Sequence, residues 1–256
     1  MLTKIKKCIV FLLILTTLVS FHSLSAPGAA AKTEVQYANF RNVRAGKIGR
    51  NILYRSQHPA NGSYRSQFAN KLAKQKGVRT VINLCDTKGA VEGYFRKYKI
   101  SPNYYYRTLY AKGRIHYANM KEYHNGSAYR KKVAYACRFM NVHQGPYLIH
   151  CKVGRDRTGF MILLLECLMD APFSYMLRDY EQSLINVNGY NWEKAHKVSR
   201  EKLRDELHYI TGKSRYTNWN NVTLRTYAEK YLKKCGLSAK EILRLKKNLS
   251  KSYTKK

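Results

Sequence analysis

The chain has 256 residues, with 48 Lys and Arg against 15 Asp and Glu, a formal net charge of +33. Its length suits one domain with a sizeable core, or one domain plus a small helical extension, and it lacks repeats and low-complexity blocks. Such a charge attracts phosphate-rich partners, namely anionic membranes, polyanions or phosphorylated substrates; no basic and aromatic motif of a known module accompanies it, so nucleic acid is not expected as a partner.

Lys4, Lys6 and Lys7 precede an apolar run from Cys8 to Phe21, the pattern of a secretory signal and too short for a membrane span. Ala29-Ala30-Ala31 offers a small-residue cleavage site, so residues 1–31 are expected to be a signal peptide and the mature chain to begin near Lys32. Secretion follows; the alternative is an uncleaved leader that tethers the protein to a membrane. Cys8 lies before the apolar run and not where a lipid-modified cysteine would stand. The other cysteines are Cys85, Cys137, Cys151, Cys167 and Cys235. Their odd number leaves one thiol outside any internal pairing, and Cys137 and Cys167 fall at helical core positions.

Residues 32–50 form a loosely patterned lead-in. Ile52-Leu53-Tyr54-Arg55-Ser56 reads as a strand, with Gln57-His58-Pro59 leading out of it. From Ser63 to Lys76, Tyr64, Phe68 and Leu72 recur every four residues, which predicts an amphipathic helix ended by Gly77. Val78 to Leu84 is rich in β-branched residues and reads as a strand. A short helix is expected over Ala90 to Tyr98 and a strand over Tyr104 to Tyr110. Ala111 to Asn125 has no clear period and reads as a loop overlying the site. Ser127 caps a helix to about Val142, with Val133, Cys137 and Met140 inward.

Gly145-Pro146 leads into a buried strand, Tyr147 to His150. The almost entirely apolar helix Phe160 to Met169 must be buried against the sheet. Pro172 breaks it, and Phe173 to Ile185, Trp192 to Leu207, Leu224 to Lys234 and Ser238 to Ser250 read as further helices. The fold class is α/β: a single domain with a central mixed, mostly parallel sheet flanked by helices and a helical C-terminal extension. The core spans 51–185, residues 186–250 complete the same domain as helices, and 251–256 is a frayed, solvated tail.

The stretch that carries chemistry runs from Tyr147 to Phe160: apolar strand, Cys151, five residues, Arg157, Thr158, Gly159, apolar helix. A thiol stands at the mouth of a loop whose backbone N–H groups, those of Lys152, Val153, Gly154 and Arg155 among them, turn inward. Such a nest binds a tetrahedral dianion, aided by the dipole of a helix beginning near Thr158. The same field stabilises a thiolate nucleophile at Cys151. Arg157 supplies a planar charged fork for equatorial phosphoryl oxygens, and Gly154 and Gly159 let the loop curl and the helix pack close.

His150-Cys151-x-x-Gly154-x-x-Arg157-Thr158-Gly159 resembles the phosphate-binding signature of cysteine-dependent protein tyrosine and dual-specificity phosphatases. Tyr54-Arg55-Ser56-x-x-Pro59 resembles the opening strand of the bacterial dual-specificity-like branch, and Asp179-Tyr180-x-x-Ser183 another of its recurring elements. The resemblance covers roughly Ile52 to Ser183. It implies a dual-specificity-phosphatase-like fold and a phosphocysteine mechanism in which Cys151 attacks, Arg157 stabilises the transition state, Thr158 hydrogen-bonds the sulfur as leaving group and His150 orients the loop. Many members supply the general acid from an Asp about thirty residues before the nucleophile; here no Asp lies between Tyr104 and Arg155. Some bacterial relatives carry it inside the loop, and Gly154-Arg155-Asp156-Arg157 is similar, which makes Asp156 the first candidate, ahead of Asp86 and then Glu122. The alternative for Asp156 is a carboxylate that only holds Arg155 or Arg157.

Lys152 and Arg155 add cations to the rim, and with them the loop is similar to that of phosphatase and tensin homologue lipid phosphatases. That similarity implies a possible phosphoinositide or inositol-polyphosphate substrate, beside a phosphorylated protein, and a reversible redox pairing of Cys85 with Cys151; a buried strand role for Cys85 is the alternative. A silent module docking on anionic surfaces is the remote reading. The eight His do not fall into ligand spacings, so neither a metal nor another cofactor is expected.

Overall fold

Alternation along each strand divides the core in two. In the computed structural model, which describes residues 31–121 and 126–254, Leu53, Ile82, Tyr147 and Ile149 face one apolar cluster while Tyr54, Val81 and Leu148 face the other, as the two-residue period of a strand requires. A five-stranded sheet in the order β1-β2-β5-β3-β4 separates them: β1 (Arg41–Asn42), β2 (Leu53–Ser56), β3 (Thr80–Asn83), β4 (Ile115–Tyr117) and β5 (Tyr147–His150). Only the β1–β2 pair is antiparallel. Every residue of β2, β3 and β5 is buried, as in central strands covered on both faces, including the polar Arg55, Ser56, Asn83 and His150 at their carboxyl ends.

Ten α-helices of the described residues cover the two faces. On one side lie α1 (Glu34–Tyr37), α2 (Tyr64–Gln75), α3 (Lys88–Lys97) and α4 (Tyr105–Ala111). On the other lie α5 (Gly126–Val142), α6 (Asp156–Leu168), α7 (Phe173–Asn188), α8 (Trp192–Thr211), α9 (Leu224–Lys234) and α10 (Ala239–Leu249). The C-terminal helices share one apolar cluster with β2, β3 and β5 and belong to the compact unit Thr33–Lys256. The fold is therefore a single α/β domain with a mixed, mostly parallel sheet. The leader expected over residues 1–31 lies, except for Ala31, outside the described residues. No helix among the described residues is long and apolar enough to cross a membrane.

Three expectations are corrected. Tyr104 to Tyr110 is not a strand: Tyr106 and Leu109, three residues apart, are buried on one face of α4, and the Tyr105 phenol donates to the Val78 carbonyl (2.6 Å). The fourth parallel strand lies inside the segment read as a loop, where Ile115–Tyr117 pairs with Val81–Asn83. The tail is not frayed through Tyr253, whose N–H donates to the Arg50 carbonyl (2.8 Å) and whose ring lies 4.9 Å from the Arg79 guanidinium.

Candidate active site

In a parallel sheet ligands collect beyond the carboxyl ends of the strands, where neighbouring connections diverge. Here β5 is inserted between β2 and β3, with Ser56 and Asn83 both level with His150. The residues just past those ends, His58, Cys151, Cys85 and Asp86, are thereby brought together. Cys151 is 2% exposed.

The loop after Cys151 is held from outside. The Lys152 carbonyl accepts from the His58 N–H (3.2 Å), those of Val153 and Gly154 from the Asn39 amide (3.4 and 3.0 Å), and those of Gly154 and Arg155 from the Arg55 guanidinium (2.8 and 3.3 Å). In a trans peptide the N–H points opposite to the C=O. The N–H groups of Val153, Gly154, Arg155 and Asp156 are thus turned away from these outer donors, as a cradle for an anion requires. Gly154 is obligatory there: its φ is +73°, and a Cβ would lie 2.3 Å from the Ser56 carbonyl oxygen.

Arg55 is 1% exposed and pairs with Asp179, which also accepts from Arg41 (2.7 Å). Burial alone would raise the Asp179 carboxyl, but Arg41 and Arg55 hold it below the usual range. Asn39 is fixed in turn by Arg41 (2.7 Å) and Asn186 (3.2 Å). The outer shell of the loop therefore comes from the lead-in, β2 and α7.

A strand, an anion cradle, and an arginine in the first turn of an apolar helix coincide with one sequence signature. A family model described as the tyrosine phosphatase family matches residues 36–251. The chain belongs to that family. The protein is accordingly a cysteine-dependent phosphatase, and the match extends well beyond Ile52 to Ser183, taking in the C-terminal helices. No match to the chain was found among curated proteins.

In the phosphatase, α6 begins at Asp156, two residues earlier than expected. Arg157, in its first turn, is half-buried and donates to the Met120 carbonyl (3.1 Å). It is close enough to influence Cys85, His150 and Tyr129. Thr158 is fully buried, and its hydroxyl has no partner among the described residues, so the expected bond to the Cys151 sulfur is not formed in this structure. Gly159 permits close packing, since a Cβ would meet the Tyr180 ring at 2.7 Å. His150 lies between the Tyr106 hydroxyl (3.1 Å) and the Cys151 carbonyl (3.3 Å). Burial and the neighbouring His58 keep it far below its usual pKa, so it is neutral at pH 7.

Lys152 is exposed, whereas Arg155 is engaged: its guanidinium donates to Asp156 (3.0 Å) and to Asn188 (2.6 Å). Asp156 also accepts from the Tyr180 hydroxyl (3.1 Å). Burial would raise the Asp156 carboxyl, but Arg155 and the phenol outweigh it and lower it. Asp156 retains 37% side-chain exposure.

Asp86 is more enclosed. It accepts from His58 (2.9 Å), Asn83 (3.1 Å), the Cys85 thiol (3.0 Å) and Tyr94 (3.2 Å). Those donors overcome burial and hold its carboxyl well below the usual range. Burial first, and then Asp86, push the Cys85 thiol far up. Cys85 and Cys151 are both free thiols. Glu122 lies outside the described residues.

His58, Cys85 and His150 bring three ligand-type atoms within 4.8 Å of one another. The His58 Nδ1 accepts from the Ala60 N–H (2.8 Å), which leaves the proton on Nε2, directed at Asp86. A metal would need the Nε2 lone pair and so set two N–H groups against each other at Nδ1. The cluster suits a hydrogen-bond network better than an ion.

His58, Asn39 and the supporting role of Arg55 and Asp179 were missed by sequence reasoning. Arg55 and Asp179 fall in segments whose resemblance was noted, but nothing local reveals that one guanidinium spans from α7 to the loop.

Proposed function

We propose that Cys151 is the nucleophile of a phosphomonoester hydrolase that acts on phosphorylated tyrosine, or on tyrosine and serine or threonine, in proteins. The observation that carries this is the outward tethering of the loop carbonyls by His58, Asn39 and Arg55, with Arg157 following directly in the helix. The thiolate attacks phosphorus and the ester P–O bond breaks. The inward amides and Arg157 take up the charge on the equatorial oxygens, and the leaving oxygen receives a proton. Water then cleaves the phosphocysteine, releasing phosphate and the thiolate.

Asp156 is the proposed acid. It is more accessible than Asp86, whose two oxygens already receive four donors, and an arriving phosphoryl dianion raises the pKa of a nearby carboxyl. Thr158 takes the role of stabilising the departing sulfur through a rotation of its hydroxyl, and His150 remains structural.

A phosphoinositide or inositol-polyphosphate substrate is favoured by exposed Lys152 and the net charge. Against it, the Arg155 charge is already neutralised by Asp156, so one of the two rim cations is not free for a further phosphate. Export by the apolar leader, and attraction to anionic membranes, belong to the same reading. Phosphate release from phosphotyrosine peptides, phosphoserine peptides, phosphoinositides and inositol hexakisphosphate, with wild type and Cys151→Ser, tests it. Turnover of phosphotyrosine peptide that is lost in Cys151→Ser supports it; strong lipid turnover with negligible peptide turnover reverses the ranking.

A further inference from the structure

On the outer surface, α5 and α10 lie side by side, joined by Arg138 to Glu241 (2.7 Å) and by Asn141 to the Glu241 carbonyl (2.9 Å). Between them runs a cleft of about 320 Å³ whose walls include Val142, Lys240 and Arg244. Val142, in the wall, is 70% exposed; beside the cleft, Leu243, one turn after Lys240 on α10, is 66% exposed and Tyr135, one turn before Arg138 on α5, 55%. Exposed apolar side chains in and beside a cleft, on the two helices that form it, are the kind of feature that marks a contact surface. Among the described residues the one carboxylate in the wall, Glu241, is spent on Arg138 and the Ser238 cap, which hold it down at about 2. Lys240 and Arg244 have no hydrogen-bond or ion-pair partner among the described residues.

The same helix leads to the chemistry. Tyr129 is buried edge-on to Phe160 (5.6 Å), and Arg157 and Cys151 both act on its phenol. From Tyr129 to the cleft at Arg138–Val142, α5 advances about 14–20 Å at ~1.5 Å per residue.

We propose that this cleft docks an acidic, apolar-containing segment of a phosphoprotein substrate; because Val142 lies toward the amino end of β5 and Cys151 beyond its carboxyl end, the linker to the phosphorylated side chain runs over the surface and needs about ten residues at ~3.3 Å per extended residue. The proposal rests on the protein-phosphatase reading given above. Its chemistry is complementary: carboxylates of the segment meet Lys240 and Arg244 while its apolar side chains cover Val142 and Leu243. A concave groove between two helices accommodates a peptide chain, whereas a bilayer presents a broad surface that would touch only the crests.

The probe is a fluorescent, unphosphorylated peptide alternating Asp or Glu with Leu, followed by anisotropy, beside a phosphotyrosine peptide carrying that segment about ten residues away. Wild type and Cys151→Ser are expected to bind the probe equally, and Lys240→Glu with Arg244→Glu to weaken it about tenfold through charge repulsion. In turnover, KM for the segment-bearing phosphopeptide rises by a similar factor with kcat unchanged, while a small aryl phosphate is unaffected. Glu at position 240 suits a helix N-terminus, and Leu243→Ser is a second, charge-neutral variant with the same expected direction. Equal KM for phosphopeptides with and without the segment overturns the proposal, as does flotation with phosphatidylserine vesicles that depends on Lys240 when the peptide probe does not bind. Should no phosphopeptide be hydrolysed while the probe still binds and the charge reversal still abolishes binding, the docking site stands and the substrate reading falls.

Discussion

The guanidinium of Arg55 donates to the carbonyl oxygen of Gly154 at 2.8 Å, so the strand next to β5 in the sheet fixes which way the phosphate loop turns its amides. Arg55 is paired with Asp179 on the far side. Replacing Arg55 by Met leaves Asp179 buried without one of its cations and frees two loop carbonyls. The expected result is a loss of roughly 3–5 kcal/mol in unfolding free energy and at least about a 100-fold loss in kcat/KM on an aryl phosphate, read by denaturant titration and initial rates. Near-normal activity would show that the loop holds its shape unaided.

Gly154→Ala meets both a left-handed φ and a Cβ 2.3 Å from the Ser56 carbonyl oxygen. A destabilisation of about 3 kcal/mol or more is expected, with loss of binding to a phosphate analogue such as vanadate. Gly89, whose Cβ would meet nothing within 4 Å, is the control: Gly89→Ala leaves both measurements unchanged.

Asp156 supplies the pH prediction. Arg155 and Tyr180 lower its carboxyl despite burial, so in the free enzyme it loses its proton at lower pH than an ordinary Asp. Activity on an alkyl phosphate, which needs the acid, should fall about tenfold per unit as pH rises above that pKa, giving an acidic optimum. Arg155→Ala removes the main lowering partner and moves this fall to higher pH. Asp156→Asn flattens the profile and costs far more on an alkyl phosphate than on an aryl phosphate with a very good leaving group; equal losses on both would assign the proton to another group.

Cys85 follows β3 and Cys151 follows β5, adjacent strands with Asn83 level with His150. Mild peroxide is expected to convert the Cys151 thiolate to a sulfenic acid that Cys85 displaces, releasing water and forming a disulfide. Peptide mapping should recover that crosslink from wild type and not from Cys85→Ser. Asp86, which accepts from the Cys85 thiol at 3.0 Å and helps to push it up, disfavours the attacking thiolate, so Asp86→Asn should speed crosslinking. A map without the Cys85–Cys151 peptide would count against the pairing.

Much of this was legible in the sequence because the signals were local. The Cys-to-Arg spacing, the glycines and the apolar flanks of Tyr147 to Phe160 specify strand, loop and helix within fourteen consecutive residues. The four-residue spacing of Tyr64, Phe68 and Leu72 led to α2, although its buried stripe is Ser66, Ala69, Leu72 and Ala73 and Tyr64 is exposed; Leu224–Lys234 was read to the residue. Where Tyr104 to Tyr110 was misread, aromatic residues fit either state, and burial of Tyr106 with Leu109 decided for helix. The brace of Asn39, Arg55 and Asp179 could not be read at all, since 140 positions separate Asn39 from Asp179 and only the folded chain brings them to one loop.

That brace has a consequence for when the enzyme becomes an enzyme. A peptide containing only the signature would possess the sulfur and the arginine yet have nothing to turn its carbonyls outward. The reactive pocket is therefore a property of the tertiary structure: it exists only where residues of the lead-in, β2 and α7 close around the loop.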